Sequence, residues 1–228
     1  MAEPKYPISD SDMLALLKKY PFLKHRNFWK PEPDDVYATD EENIAHNKYK
    51  IWDGSGWEDL WKNRYLPRLF KEYDSWDEET RKKFYFTDIK EKFGELRIYT
   101  SGHTDERLEF IAGDLSIYTC QYCGAEPREE DGTRVIWTTG GWITHLCRDC
   151  ARKYLVDNDV PADKIEAELE DMKDICSGFG YKQYGKDRIV EVTYRETADG
   201  WLEKDKEIEL DPEEEKRKFI AGLKGEAV

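Results

Sequence analysis

The sequence predicts an α+β protein. An aromatic-rich helical N-terminal part packs on a small antiparallel sheet, and a four-cysteine element sits in the second half of the chain. Three observations lead there. Apolar and aromatic residues recur at helical spacing in WEDLWKNRYLPRLFKEY, residues 57–73. Two Cys-x-x-Cys pairs, at 120–123 and 147–150, bracket a stretch of turn-forming and β-forming residues. Segments that alternate apolar and polar residues, such as DRIVEVTYRE, follow towards the C-terminus.

Taken in order, SDSDMLALLKKYPFL reads as a first helix, capped by Ser9 or Ser11 and ended by Pro21. Residues 29–56, with KPEPDD and DGSG, read as loop. Trp29, Tyr37 and Trp52 within that stretch, and Trp57 just after it, belong either to a core or to a partner surface. Between 57 and 73, Trp57, Leu60, Trp61, Tyr65, Leu69, Phe70 and Tyr73 make one stripe, expected to be core. Pro67 is expected to kink or split that helix. In FTDIKEKFGELRIYTSG, Thr87 is expected to cap a short helix ending at Gly94, with ELRIYT a strand and SG a turn. TDERLEFIAGDLSIY is an amphipathic helix with Leu108, Ile111, Leu115 and Tyr118 on one side, and it runs straight into Cys120.

The two cysteine pairs are separated by 23 residues. That is the spacing of a four-thiolate zinc ribbon, in which each Cys-x-x-Cys makes a tight knuckle aiming two sulfurs at one ion. Gly124 suits the left-handed backbone of such a knuckle. TRVIWT and GWITHL, joined by TGG, form a hairpin that returns the second knuckle to the first, and CRDCARKYL leads into a helix. Cys120, Cys123, Cys147 and Cys150 are therefore the expected ligands of a structural Zn2+. A redox pair or free thiols are the alternatives, but two pairs without a βαβ unit argue against redox work. A catalytic zinc keeps an open position, which four thiolates close. His145, two residues before Cys147, is an outer neighbour of the site or a plain strand residue. Cys176, in MKDICSGFG, is expected to be a buried free thiol at a helix end.

Beyond the ribbon, VPADKIEAELEDMKDI is an acidic helix with Pro161 near its start. DRIVEVTYRE and WLEKDKEIEL are partner strands across the turn TADG, and DPEEEKRKFIAGL is a closing helix. The expected domains are residues 1–118 (helical, α+β), 119–155 (zinc ribbon) and 156–228 (acidic helix, β-hairpin and C-terminal helix).

The formal net charge is −14. Residues 156–228 hold 21 acids against 12 bases, and residues 1–155 hold 29 against 24. Such a chain repels phosphate at long range, which argues against a general DNA-coating protein. MAEPKYPISD has no basic region followed by an apolar run. No stretch approaches the roughly 20 apolar residues of a membrane helix. The expected location is the cytoplasm, where disulfides are rare, with no membrane partner.

Among these segments, IKEKFGELRIYTSG, CQYCGA and GGWITHLCRDC occur in an order that resembles a family of phage and prophage zinc-ribbon proteins. Those proteins run a KEKFG-x-LR-x-Y segment into a Cys-x-x-Cys-Gly knuckle, with a Gly-Trp strand before the last cysteine pair. The resemblance spans roughly residues 57–155. It implies a zinc-binding protein of a mobile element, with the host cytoplasm as its location, and it brings no catalytic residue with it.

No phosphate-cradling Gly-Lys-Ser/Thr loop, Gly-x-Ser-x-Gly elbow or HExxH helix occurs. His25, His46, His103 and His145 are scattered, and SGHTDE at 101–106 reads as a capped turn. His103 is followed by Thr104 and Asp105, which breaks the His-x-Glu pattern of zinc deaminases. No catalytic residue is assigned. The expected function is a non-enzymatic, zinc-stabilised acidic phage-type protein that binds and modulates a host protein, as an anti-defence factor or nucleic-acid mimic. The alternative is a zinc-ribbon nucleic-acid binder using Arg148, Arg152, Lys153 and the RKK at 81–83, with aromatics that stack on bases. A hydrolase with an unrecognised carboxylate site comes third.

Overall fold

The computed structural model describes residues 9–24, 39–49, 56–102, 104, 107–185 and 188–223. The chain divides into two compact units, Met1–Ile175 and Cys176–Val228. Both mix helix with small antiparallel sheets. All four paired cysteines lie in the first unit, together with the helices before and after them.

Helix α1 (Asp10–Lys19) is capped by Ser9, whose hydroxyl accepts the Asp12 N–H at 3.2 Å. Pro21 opens a short 3-10 turn, Pro21–Leu23, that ends the run. Helix α2 (Asp40–Tyr49) lies where loop was expected. Its start is a capping box: the Glu42 N–H donates to the Thr39 hydroxyl at 3.2 Å, and the Thr39 N–H donates to the Glu42 carboxylate at 2.8 Å. The Thr-x-x-Glu signal was present but masked by the prolines and acids before it. Trp29, Tyr37 and Trp52 lie outside the described residues.

The aromatic stripe is core. Trp57, Leu60, Trp61, Tyr65, Leu69, Phe70 and Tyr73 are all buried. Pro67 neither breaks nor ends the run. Its missing N–H and its ring disrupt the normal ladder, and the turns before it widen instead. Leu60–Tyr65 is π-helical, the Leu66 N–H reaches the Trp61 carbonyl, and α3 (Leu66–Ser75) continues beyond. Tyr20 stacks on Phe70 with centroids 4.1 Å apart, and Phe22 meets Phe84 edge-on at 5.4 Å. Burying each such ring contributes roughly 1.5–3 kcal/mol. Helix α4 (Glu78–Lys83), capped by Asp77, follows.

The short helix expected from Thr87 to Gly94 does not form. The segment is strand β1 (Phe86–Lys92), paired antiparallel with β2 (Glu95–Thr100) so that Ile89 faces Ile98 and Lys92 faces Glu95. The two-residue loop between them is Phe93 (φ 56°) and Gly94 (φ 78°), both left-handed, the backbone of a tight hairpin turn. Thr87 sits at a register shift rather than a cap. Helix α5 (Leu108–Ile117) lies against β2, where the Leu96 N–H donates to the Ser116 hydroxyl at 2.8 Å. The Trp57 indole donates to the Ser116 carbonyl at 3.1 Å, which places that ring in the core.

The expected hairpin after Cys123 is present as β3 (Val135–Thr138) and β4 (His145–Leu146). Helix α6 (Arg148–Asp157) leaves the second knuckle, and α7 (Ile165–Met172) packs back on β3. The acidic helix ends earlier than expected, because Lys173–Ile175 forms β5 and adds a third strand beside β3. Val135, Trp137, Leu146, Leu155, Ile165 and Leu169 make the core here.

The second unit is an antiparallel sheet ordered β6 (Phe179–Tyr184), β7 (Ile189–Glu196), β8 (Leu202–Leu210), with α8 (Pro212–Leu223) after it. β7, β8 and α8 match the expected segments; β6, with two tyrosines and no branched residue, was not foreseen. Lys182 pairs with Glu215 at 2.5 Å, tying α8 to the sheet. Cys176 is buried, and it follows a strand rather than a helix. Among the described residues, no helix is long and apolar enough to cross a membrane.

Candidate metal centre

The Cys-x-x-Cys spacing makes each pair a local turn, and the hairpin brings the two turns together. In the first knuckle the Cys120 N–H donates to the Ala125 carbonyl at 2.8 Å and the Gly124 N–H to the Cys120 carbonyl at 2.9 Å, with Gly124 left-handed at φ 75°. In the second, Cys147 occupies the N-cap of α6, and Cys150 lies in its first turn. A helix N-terminus favours thiolate over thiol.

The four sulfurs of Cys120, Cys123, Cys147 and Cys150 all lie within 4.8 Å of one another. Cys123 Sγ and Cys147 Sγ are 3.6 Å apart. A metal held tetrahedrally by thiolates at about 2.3 Å sets its sulfurs about 3.8 Å apart, so the cluster fits one ion. Burial, reinforced by the neighbouring cysteines, pushes the Cys147 and Cys150 thiols upward. Four sulfurs ionised together therefore call for a cation between them. The cluster is graded in access: Cys120 is buried, Cys147 and Cys150 are half-buried, and Cys123 is exposed.

Three contacts moor the centre to the rest of its unit. Gly56 donates its N–H to the Gln121 carbonyl at 2.5 Å, and a methyl group on its Cα would collide with the backbone at Cys120 and Gly124. The Gln121 N–H donates to the His145 carbonyl at 2.9 Å, and the His145 N–H to the Gln121 side chain at 2.7 Å. The hairpin turn of β1 and β2 rests on the same histidine: a methyl on Gly94 would stand 2.7 Å from the His145 ring. His145 is thus a packing hub behind the knuckles, buried, with Nδ1 3.0 Å from the Thr138 hydroxyl.

Glu126, two residues past Gly124, is held by two arginines. It pairs with Arg64, and with Arg134 at 3.0 Å; the Arg134 side chain is 1% exposed. Neither Gly56 nor Glu126 stood out in the sequence, because a glycine in a turn and an acid among fifty carry no local mark.

The cations expected to serve nucleic acid are otherwise engaged. Arg148 and Arg152 both pair with Glu166, Lys153 with Asp157 at 2.5 Å, and Lys82 and Lys83 with Glu78 and Glu79 at 2.6 Å. A surface recess of about 450 Å³ lies beside Cys147, floored by Val135, Trp137 and Leu169. On its rim Lys173 pairs with Glu129 at 2.6 Å and Arg148 with Glu166 at 2.7 Å. His25, His103, Asp105 and Glu106 lie outside the described residues, as does the side chain of His46.

Compared with protein-family models, curated proteins and solved structures, the chain matches none.

Proposed function

We propose that the four cysteines hold Zn2+ as a structural ion and that the protein is a non-enzymatic, acidic binding protein whose partner is a host protein. The cluster supports zinc because a tetrahedral set of four thiolates suits that ion. It supports a structural role because four protein ligands leave no position for water or substrate. Zinc bound there supplies folding energy to a unit whose two knuckles it joins. Cys120, Cys123, Cys147 and Cys150 are the residues that hold it.

The observation that carries the partner reading is an acidic surface beside the centre. Glu130, Asp131, Glu168, Glu170, Asp171 and Asp174 are exposed, and none forms an ion pair among the described residues. The Lys173–Glu129 pair joins the loop that bears the first two to the strand that follows α7. Such a surface complements a basic patch, including one that normally takes nucleic acid. Phage origin and an anti-defence or inhibitory role agree with that reading.

The test is a tagged full-length protein used as bait in nuclease-treated bacterial lysate, read by mass spectrometry. One stoichiometric host protein with a basic face is expected, and it should be lost with the triple variant Glu168→Lys, Glu170→Lys, Asp171→Lys. A partner that the triple variant retains, or no partner at all, contradicts the reading.

A further inference from the structure

Three aromatic rings project from the turns around the metal centre. Phe93, Tyr122 and Trp142 are 68%, 57% and 80% exposed. Each sits beside a residue in the network that converges on His145: Phe93 next to Gly94, Tyr122 next to Gln121, Trp142 next to Ile143. Tyr122 lies inside the first knuckle. The Trp142 loop is clamped by Thr139, whose hydroxyl donates to the Trp142 carbonyl at 2.6 Å and accepts the Thr144 N–H at 2.9 Å.

Phe93 is the telling member. A hairpin turn with both residues left-handed favours Asn or Asp followed by Gly, and here a phenylalanine takes the first place at φ 56°. Its ring gains no burial in return. Strain kept where packing does not reward it points to a function for the side chain.

A cation accompanies one of the rings. The Lys92 ammonium stands 5.4 Å from the Phe93 centroid. The same pairing recurs on the hairpin, where Lys90 lies 5.1 Å from the Tyr99 centroid. Exposed ring faces with a positive charge beside them are the chemistry that stacks bases and steadies the phosphates between them.

We propose that Phe93, Tyr122 and Trp142 form a stacking platform for single-stranded nucleic acid, with Lys92 as its phosphate contact. The net charge of −14 shapes how such a site works. The long-range field opposes phosphate, so affinity comes from stacking on unpaired bases, and duplexes, whose bases are already stacked, are refused. With one phosphate contact, the slope of log K against log salt is about −0.7. This goes beyond the protein-partner reading and uses other residues, so the ring substitutions and the acidic-surface triple variant test the two separately.

The test is fluorescence anisotropy of the purified full chain with labelled oligo(dT) and oligo(rU) of about 12 nucleotides, and with a duplex of the same length. Single strands are expected to bind with the shallow salt slope, and the duplex to fail. Trp142→Ala and Tyr122→Ala should each weaken binding by about 5- to 150-fold. Phe93→Asn should weaken binding while raising the melting temperature, a pair of opposite signs that a merely structural residue does not give. No strand binding at low salt, or affinity unmoved by all three substitutions in folded protein, overturns the proposal. So does a steep salt slope, or loss of a protein partner with these substitutions while no strand binds.

Discussion

Gly56 lies against the carbonyl of Cys120 with no room for a side chain between them. Its N–H reaches the next carbonyl, Gln121, at 2.5 Å. The helical run that begins at Trp57 is thereby fixed to the first cysteine knuckle. The core and the metal centre share this one backbone contact, so a defect on either side is felt on the other.

Gly56→Ala is accordingly expected to cost about 1–3 kcal/mol, because the atoms it meets are backbone and cannot rotate away. Thermal unfolding measures this. Gly102→Ala, with no atom within 4 Å of the added methyl, is the control and should change stability by no more than about 0.5 kcal/mol. Equal effects from the two substitutions contradict the contact.

Glu126→Gln leaves the Arg134 guanidinium, whose side chain is 1% exposed, without its carboxylate. Removing one partner of a buried pair typically costs about 3–5 kcal/mol, since the remaining charge has no water to turn to. Urea unfolding of the variant should show a loss in that range, and a loss below about 1 kcal/mol contradicts the account.

Stability should fall as the pH rises towards neutrality through Asp114. Burial, and then the nearby Glu95 carboxylate, raise its pKa to about 7. The unfolded chain releases this proton near pH 4 and the folded chain only near 7, so between those values the folded state holds more protons. The stabilisation is complete below the lower value and is lost as pH climbs through the upper one. Melting temperatures from pH 5 to 8 should decline for the native protein and decline less for Asp114→Asn. Parallel curves sink this assignment.

The four cysteines were legible because a knuckle is a local object: spacing alone aims two sulfurs, and the turn and strands between 124 and 146 return the second pair to the first. The aromatic stripe was legible for the same reason, its period surviving the wide π-helical turns before Pro67. IKEKFGEL misled because its charges and Gly94 imitate a capped helix, while the turn that decides its fold carries a phenylalanine where Asn or Asp is usual. β5 was missed because what makes it a strand is a partner far along the chain, Val135–Trp137, and β6 because its two tyrosines, glycine and polar residues carry no β-branched pattern, although its partner Ile189–Tyr194 is next in sequence. Gly56 matters through the knuckle at Cys120 and Gln121, and Glu126 through Arg64 as well as Arg134; the knuckle and Arg64 lie far along the chain from their partners, where local patterns say nothing.

Cys120, Cys123, Cys147 and Cys150 stand near enough to close around one ion, which we propose is structural zinc. Native mass spectrometry of the full chain, paired with melting of the same samples before and after chelation, tests it most directly. One zinc per chain is expected, absent from Cys147→Ser, with a lower melting temperature whenever the metal is gone. A metal-free protein with four reactive thiols at these positions and an unchanged melting temperature would contradict it.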